Sequence, residues 1–225
     1  MLDLPAAQAA AYLDEGVSAV RCHAESAAAM ESCEAALGDA SVGVELLAVT
    51  PAAVLALPQI AAAARRLVAI ATDAALLLET YGLPWDPEVD ITAYARGRVV
   101  HVARVREVAA IGRFAIGGRQ RQVHPELSPA RFSFESGYHG GLCATWDDVR
   151  DCNANYQPTA KRADEQRRIL TAMEEGYAKG LGAVSLDGRM IDIALIPIAE
   201  HALAITDQVA QRTPIAARAF AAHQG

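Results

Sequence analysis

Few residues in this chain have the type and setting to do chemistry, and most of them are carboxylates. Near the C-terminus the stretch SLDGRMID runs from Ser185 to Asp192, between two helical segments, and carries Asp187 and Asp192. Asp187-Gly188 is a tight-turn dipeptide, and an aspartate at position 192 stands where the last helix needs an N-cap. Earlier, His23 closes a short apolar strand, where it either donates to an anion or is satisfied within the fold. Glu25 follows as either an active-site group or a first-turn carboxylate favoured by the helix dipole. Asp73 follows a third strand, where it either reaches a site built at strand ends or caps the next helix. The four cysteines, Cys22, Cys33, Cys143 and Cys152, form no CxxC pair and no zinc spacing, and read as buried thiols in a reducing cytosol. No P-loop, dinucleotide fingerprint or Gly-x-Ser-x-Gly elbow is present.

The elements that must hold these groups alternate. Apolar runs at 17–23, 42–49, 67–72, 110–116 and 141–144 read as strands. Helices are expected over 7–14, 26–37, 50–65, 74–81 and 91–109, with a weak helix after Ser128, a short one from Trp146 and a long one over 159–179. SLDGRMID supplies a hairpin, and a last helix begins near Ile193. Alternation of strand and helix predicts an α/β fold with (β/α) units and a parallel sheet or barrel. Only about five core strands are visible where a closed barrel has eight. The reading divides the chain into an incomplete (β/α) barrel domain over 1–156 and a C-terminal extension over 157–225.

Several stretches, in order, resemble the citrate lyase β subunit-like group of the HpcH/HpaI aldolase superfamily, which includes malyl-CoA and citramalyl-CoA lyases. AESAA at 24–28 resembles "KVESA", and TPAAVLALPQIAAAARRLVAIA from Thr50 to Ala71 is similar to "ETPAGVLALPEIAAA…RLVALA". YARGRVVHVAR from Tyr94 to Arg104 resembles "YARSRVVLAAR", Gly137-Tyr138-His139-Gly140 resembles "GFDG", and SLDGRMID is similar to "SLDGKMID". The resemblance implies a TIM-barrel-derived fold with a C-terminal extension that packs on a neighbouring subunit, commonly in a trimer. It implies Mg²⁺-dependent C–C bond cleavage or formation in a hydroxyacyl-CoA-type thioester, the metal polarising substrate oxygens while an acid/base group handles the enolate proton. That acid/base residue, supplied to the adjacent subunit, corresponds to Asp192.

The same resemblance exposes departures. Val49 stands where the family has the metal-binding glutamate of "IET", and Ala75 and Leu76 stand where it has "ED". Magnesium needs hard oxygen ligands, which valine and leucine lack. Glu45 would lie on the same side of its strand as Val49 but about 13 Å deeper, and Asp73 is the better-placed substitute. His23 and Cys22 replace the lysine and proline of "PKVES", and Thr145-Trp146 replaces "HP". The family's first strands have no counterpart, so the chain reads as lacking the start of the barrel. Two functions follow: a carbon–carbon lyase of the family type, or a catalytically inactive paralogue that works by assembly or ligand binding.

Composition narrows the partners. A formal net charge of −7, with lysine only at Lys161 and Lys179, argues against nucleic acid. The uncharged stretch 46–64 is interrupted by Pro51 and Pro58 and reads as a strand running into a buried helix, not a membrane span. The expected setting is cytoplasmic. Expected partners are a CoA thioester or small organic acid, further copies of the chain, or a full-length relative. Arg96 and Arg98, on an amphipathic helix, read as surface or subunit-contact residues.

Overall fold

The computed structural model describes residues 18–84, 90–113 and 126–222. The helix expected over 7–14 and the end of the strand expected over 110–116 lie outside them.

Five strands form one parallel sheet in the order β1-β2-β3-β4-β5: β1 (Ala19–His23), β2 (Gly43–Leu47), β3 (Leu67–Asp73), β4 (Ala109–Arg113) and β5 (Gly140–Gly141). Parallel neighbours need a crossover between them. Here α1 (Ala27–Ala36), α2 (Pro51–Leu55) with α3 (Leu57–Ala63), α4 (Ala74–Thr80) with α5 (Ala93–Val105), and α6 (Pro129–Glu135) lie in those connections. Covering by helices explains why β2 and β3 read as continuous apolar runs, with Val44, Leu46, Ile70 and Ala71 fully buried. Ser26 caps α1 by accepting from the Ala29 N–H at 3.2 Å, and Thr50 caps α2 by accepting from Ala53 N–H at 3.2 Å.

The helix expected over 50–65 is two helices broken at Ala56. Proline has no N–H to give the carbonyl four residues earlier and its ring crowds that turn, so Pro58 leaves the Val54 carbonyl without its helical donor. Arg98 fills the gap: its Nε donates to Val54 O at 2.6 Å and its Nη2 to Leu55 O at 2.7 Å. Arg98 therefore joins α5 to the break, in place of the surface role expected of it. Arg96 is 7% exposed and binds Asp90 and Thr92 at the entry to α5, while its own carbonyl accepts from the Tyr138 hydroxyl at 3.1 Å. α5 stops at Val105, and Glu107, at φ 56°, turns the chain so that Ala109 starts β4 instead of ending the helix.

A second buried cation–anion group ties α1 to the α3–β3 turn. The Glu34 carboxylate accepts from the Arg65 and Arg66 N–H groups and from Arg66 Nε, all at 3.0 Å, and Arg66 also donates to the carbonyls of Glu34 and Ala40. Burial pushes the Glu34 carboxyl up, but these donors outweigh it and hold the group below its ordinary range.

By compactness the chain divides into Met1–Cys152 and Asn153–Gly225. The first unit holds the sheet and ends within α7 (Trp146–Asn155). The second contains α8 (Ala160–Ala178), an antiparallel hairpin of β6 (Ala183–Leu186) and β7 (Arg189–Asp192), a 3₁₀ turn (Ile193–Leu195) and α9 (Ile196–Ala222). Its core is Ile169, Met173, Ile191 and Ala199, with Leu170, Val184, Leu186, Leu195 and Ile196 around them. Gly176 lets β6 approach α8, since a Cβ there would collide with Val184. Residues 193–214 are long and apolar enough to cross a membrane by length and composition, yet only 6% of that stretch is buried.

Candidate functional site

Side chains alternate across a sheet, so strand register says which residues share a face. Arg21 pairs with Glu45 and Glu45 with Ala69. One step further along the strands, His23, Leu47, Ala71 and Ile111 form a second row. Both rows lie on one face, and the residues beyond them, Val49 and Asp73, continue it at the C-terminal ends of β2 and β3. Barrel proteins build their sites at such ends.

The deeper row is charged and satisfied. Arg21 Nε donates to Glu45 Oε1 at 2.7 Å, with the Glu45 side chain 1% exposed. Two charges out of water are tolerated when they meet with this geometry. Glu45 therefore has a cation of its own on the neighbouring strand. The sequence reading considered Glu45 but missed Arg21, although the parallel pairing of their strands was the signal that joins them.

At the rim, chemistry gives way to packing. Val49 is buried in one apolar cluster with Leu47 and Ala71, with Ile111 against it. Beside it, Asp73 is the N-cap of α4: its Oδ1 accepts from the Ala75 N–H at 2.9 Å and the Leu76 N–H at 3.4 Å. Leu76 is 38% exposed. His23 is exposed at the end of β1, and Glu25 is exposed just before the cap of α1. His139 has a structural task, its Nδ1 accepting from the Ala110 N–H at 3.0 Å to set β5 beside β4.

The hairpin of the second unit keeps its motif. Asp187, at φ 51°, and Gly188, at φ 77°, make the turn, and left-handed values at both positions are what a two-residue hairpin turn requires. Asp187 Oδ1 accepts from Arg168 at 2.7 Å, and Arg189 pairs with Glu165, both across to α8. Arg168 holds the Asp187 carboxyl below its usual range. Ile191 is 2% exposed, and Asp192 Oδ1 caps the 3₁₀ turn by accepting from the Ala194 N–H at 3.0 Å.

No protein-family model matches the chain. The sequence is 26% identical over 177 residues to citrate lyase subunit beta of Haemophilus influenzae, covering 78% of this chain and 60% of that protein. A fold match agrees: protein CitE from Mycobacterium tuberculosis, solved with magnesium, acetoacetate and coenzyme A, aligns at TM-score 0.65 and 21% identity over 83% of this chain and 67% of its own. The chain is thus similar in sequence to citrate lyase β subunits and in fold to CitE. A citrate lyase from Burkholderia xenovorans shares the fold at TM-score 0.68 and 14% identity, over 88% of this chain and 64% of that one. The family's barrel-type architecture is thus carried here by a five-stranded parallel sheet. The chain spans 60% of the length of the Haemophilus protein it matches.

Likeness to a protein solved with magnesium invites a test for that ion. Magnesium is held by one or two carboxylates together with water and substrate oxygens. Val49 and Leu76 offer no oxygen, Asp73 is engaged by the start of α4, and Glu45 is held by Arg21 a row deeper. Among the described residues no three His, Cys, Asp or Glu side chains gather where they could hold a metal ion. The described residues at these strand ends do not fit a resident magnesium.

Proposed function

We propose that this chain is a citrate lyase β-like protein that keeps the scaffold of a carbon–carbon lyase but has given up magnesium-dependent cleavage. It acts as an inactive paralogue, binding a hydroxyacyl-CoA-type thioester or small organic acid and assembling with copies of itself or a full-length relative. The observation that carries this reading is the apolar cluster of Leu47, Val49, Ala71 and Ile111, which fills the place where the family resemblance puts a carboxylate. Ligand binding is supported by the likeness to a protein crystallised with acetoacetate and coenzyme A. Assembly is supported by apolar side chains left in water in the second unit: Met190 is 75% exposed, Ile193 67% and Ile198 53%. The test is incubation with Mg²⁺ and malyl-CoA, citramalyl-CoA or a citryl thioester, alongside calorimetric titration of the same thioesters. No release of product thioester is expected, and binding that is indifferent to a chelator. Metal-dependent turnover sinks the proposal.

One observation favours a second reading, that of an active lyase acting on a hydroxyacyl-CoA-type thioester. SLDGRMID is retained with Asp192 only half-buried. On that reading Asp192→Asn abolishes turnover.

A further inference from the structure

The two thiols that follow β5 stand apart from everything described above. The chain leaves β5 at Gly141, turns through 142–145 and enters α7. The turn is locked to the helix by a reciprocal cap: Thr145 Oγ1 accepts from the Asp148 N–H at 3.2 Å, while Asp148 Oδ2 accepts from the Thr145 and Ala144 N–H groups at 2.8 and 2.9 Å. Cys152 lies two helical turns beyond Thr145 and so on the same face of α7. Cys143, just before the cap, is laid against that face, and its Sγ is 3.6 Å from Cys152 Sγ. Cys143 is exposed and Cys152 half-buried, where the sequence reading expected buried thiols throughout. Among the described residues no third ligand joins them to make a metal site.

We propose that Cys143 and Cys152 are a modification site: a dithiol that closes to an intramolecular disulfide when met by a small-molecule disulfide of the glutathione type. In the first step the exposed Cys143, as thiolate, attacks one sulfur of glutathione disulfide. The S–S bond breaks, and one glutathione leaves as a thiolate that takes up the proton Cys143 released to solvent. Cys152, deprotonated by solvent base, then attacks the Cys143 sulfur and expels the second glutathione. Two protein thiols are oxidised and one glutathione disulfide is reduced to two thiols. Closure is the slower step, because burial and then the carboxylates of Asp151 and Asp148 raise the Cys152 thiol above its ordinary value. The bond fixes the turn at the C-terminal end of β5, the rim where barrel proteins place ligand contacts.

Cys22 provides an internal control. It is 3% exposed and hydrogen-bonded to the half-buried Cys33 of α1, and this pair is expected to react more slowly than Cys143 and Cys152. The experiment treats the folded full chain with stepped ratios of glutathione disulfide to glutathione, quenches with acid and alkylating agent, and maps peptides by mass spectrometry. A link between Cys143 and Cys152 is expected, formed at least about tenfold more readily than in the urea-unfolded chain. Amide exchange at Ala144 and Thr145 should slow on oxidation, and Cys152→Ser should stop at a glutathione adduct on Cys143. An adduct as the end product in the unsubstituted chain overturns the proposal. So does a link no more favoured folded than unfolded, or amide exchange that does not change.

Discussion

The strand ends of the first unit and the hairpin of the second carry the two most legible parts of the same family pattern, and they have fared differently. At the end of β2 and the start of α4, where the family resemblance leads one to expect metal-binding carboxylates, stand Val49 and Leu76, and Val49 sits in an apolar cluster. In the hairpin nearly every letter of SLDGRMID is kept, and most of those residues have a structural task. Asp187 and Gly188 make the turn, Asp187 and Arg189 pair with α8, Ile191 fills the core, and Asp192 caps the 3₁₀ turn. The difference teaches that a motif can persist because the fold needs it. A kept aspartate in the hairpin is therefore weaker support for catalysis than an apolar cluster at the strand end is against it.

The comparison can be broken most forcefully at Val49. Val49→Glu places a carboxylate in the apolar cluster of Leu47, Ala71 and Ile111, at an expected cost of about 3–5 kcal/mol. Thermal unfolding with and without Mg²⁺ measures it. A melting temperature unmoved by the metal confirms that the strand end is a packed site, whereas recovery in millimolar Mg²⁺ reveals a latent metal site by linkage.

Glu34 sharpens the contrast between carboxylates that hold the first unit together and a carboxylate free for chemistry. Glu34→Gln should cost about 1–3 kcal/mol, because the glutamine cannot satisfy Arg66 and both N–H groups as the carboxylate does. The sign of the pH dependence follows from the depressed pKa. The stabilisation is fully present above the ordinary value of 4.5 and is lost as pH falls through the lower value in the folded chain. Melting curves from pH 6 downward should fall more steeply between 4.5 and the lower folded-state value for the unsubstituted chain than for Glu34→Gln. Parallel curves would show that Glu34 is not the group responsible.

The smallest effect belongs to Asp192. Asp192→Ala removes a cap and should destabilise the second unit by about 1 kcal/mol, while Asp192→Asn, which still accepts from the Ala194 N–H, should be close to neutral. Denaturant unfolding of the two variants decides it. Equal losses would mean that the charge at this position does something a cap does not.

Much of the architecture was legible in the sequence because local signals agreed with the global fold. Ser26, Thr50 and Asp73 mark helix starts, Gly38 and Gly82 take positive φ at helix ends, and the apolar runs are the strands. What escaped was set at long range. The roles of Arg98, Arg96 and Arg21 depend on which strand or helix lies beside them, and amphipathic spacing alone marks such arginines as surface residues. Pro58 was visible, but its power to split a helix was masked by the alanines around it, which favour helix on either side. At the candidate site, the loss of ligands could be read from residue types, whereas the Arg21–Glu45 pair required the strand register. The thiol pair after β5 escaped for another reason: no spacing rule joins a residue in a turn to one two turns up the helix it enters.

Pro58 and Arg98 together carry a consequence for how this sequence can change. The proline unties the Val54 carbonyl, and the arginine, on a different helix, ties it again and holds the Leu55 carbonyl beside it. The two positions therefore form one unit of inheritance. A descendant that loses the arginine first carries dangling carbonyls, whereas one that loses the proline first gains a second donor for the Val54 carbonyl and keeps the arginine on Leu55 and Tyr94. The two orders are unequal, so the proline can drift while the arginine stays, and the arginine cannot drift while the proline stays.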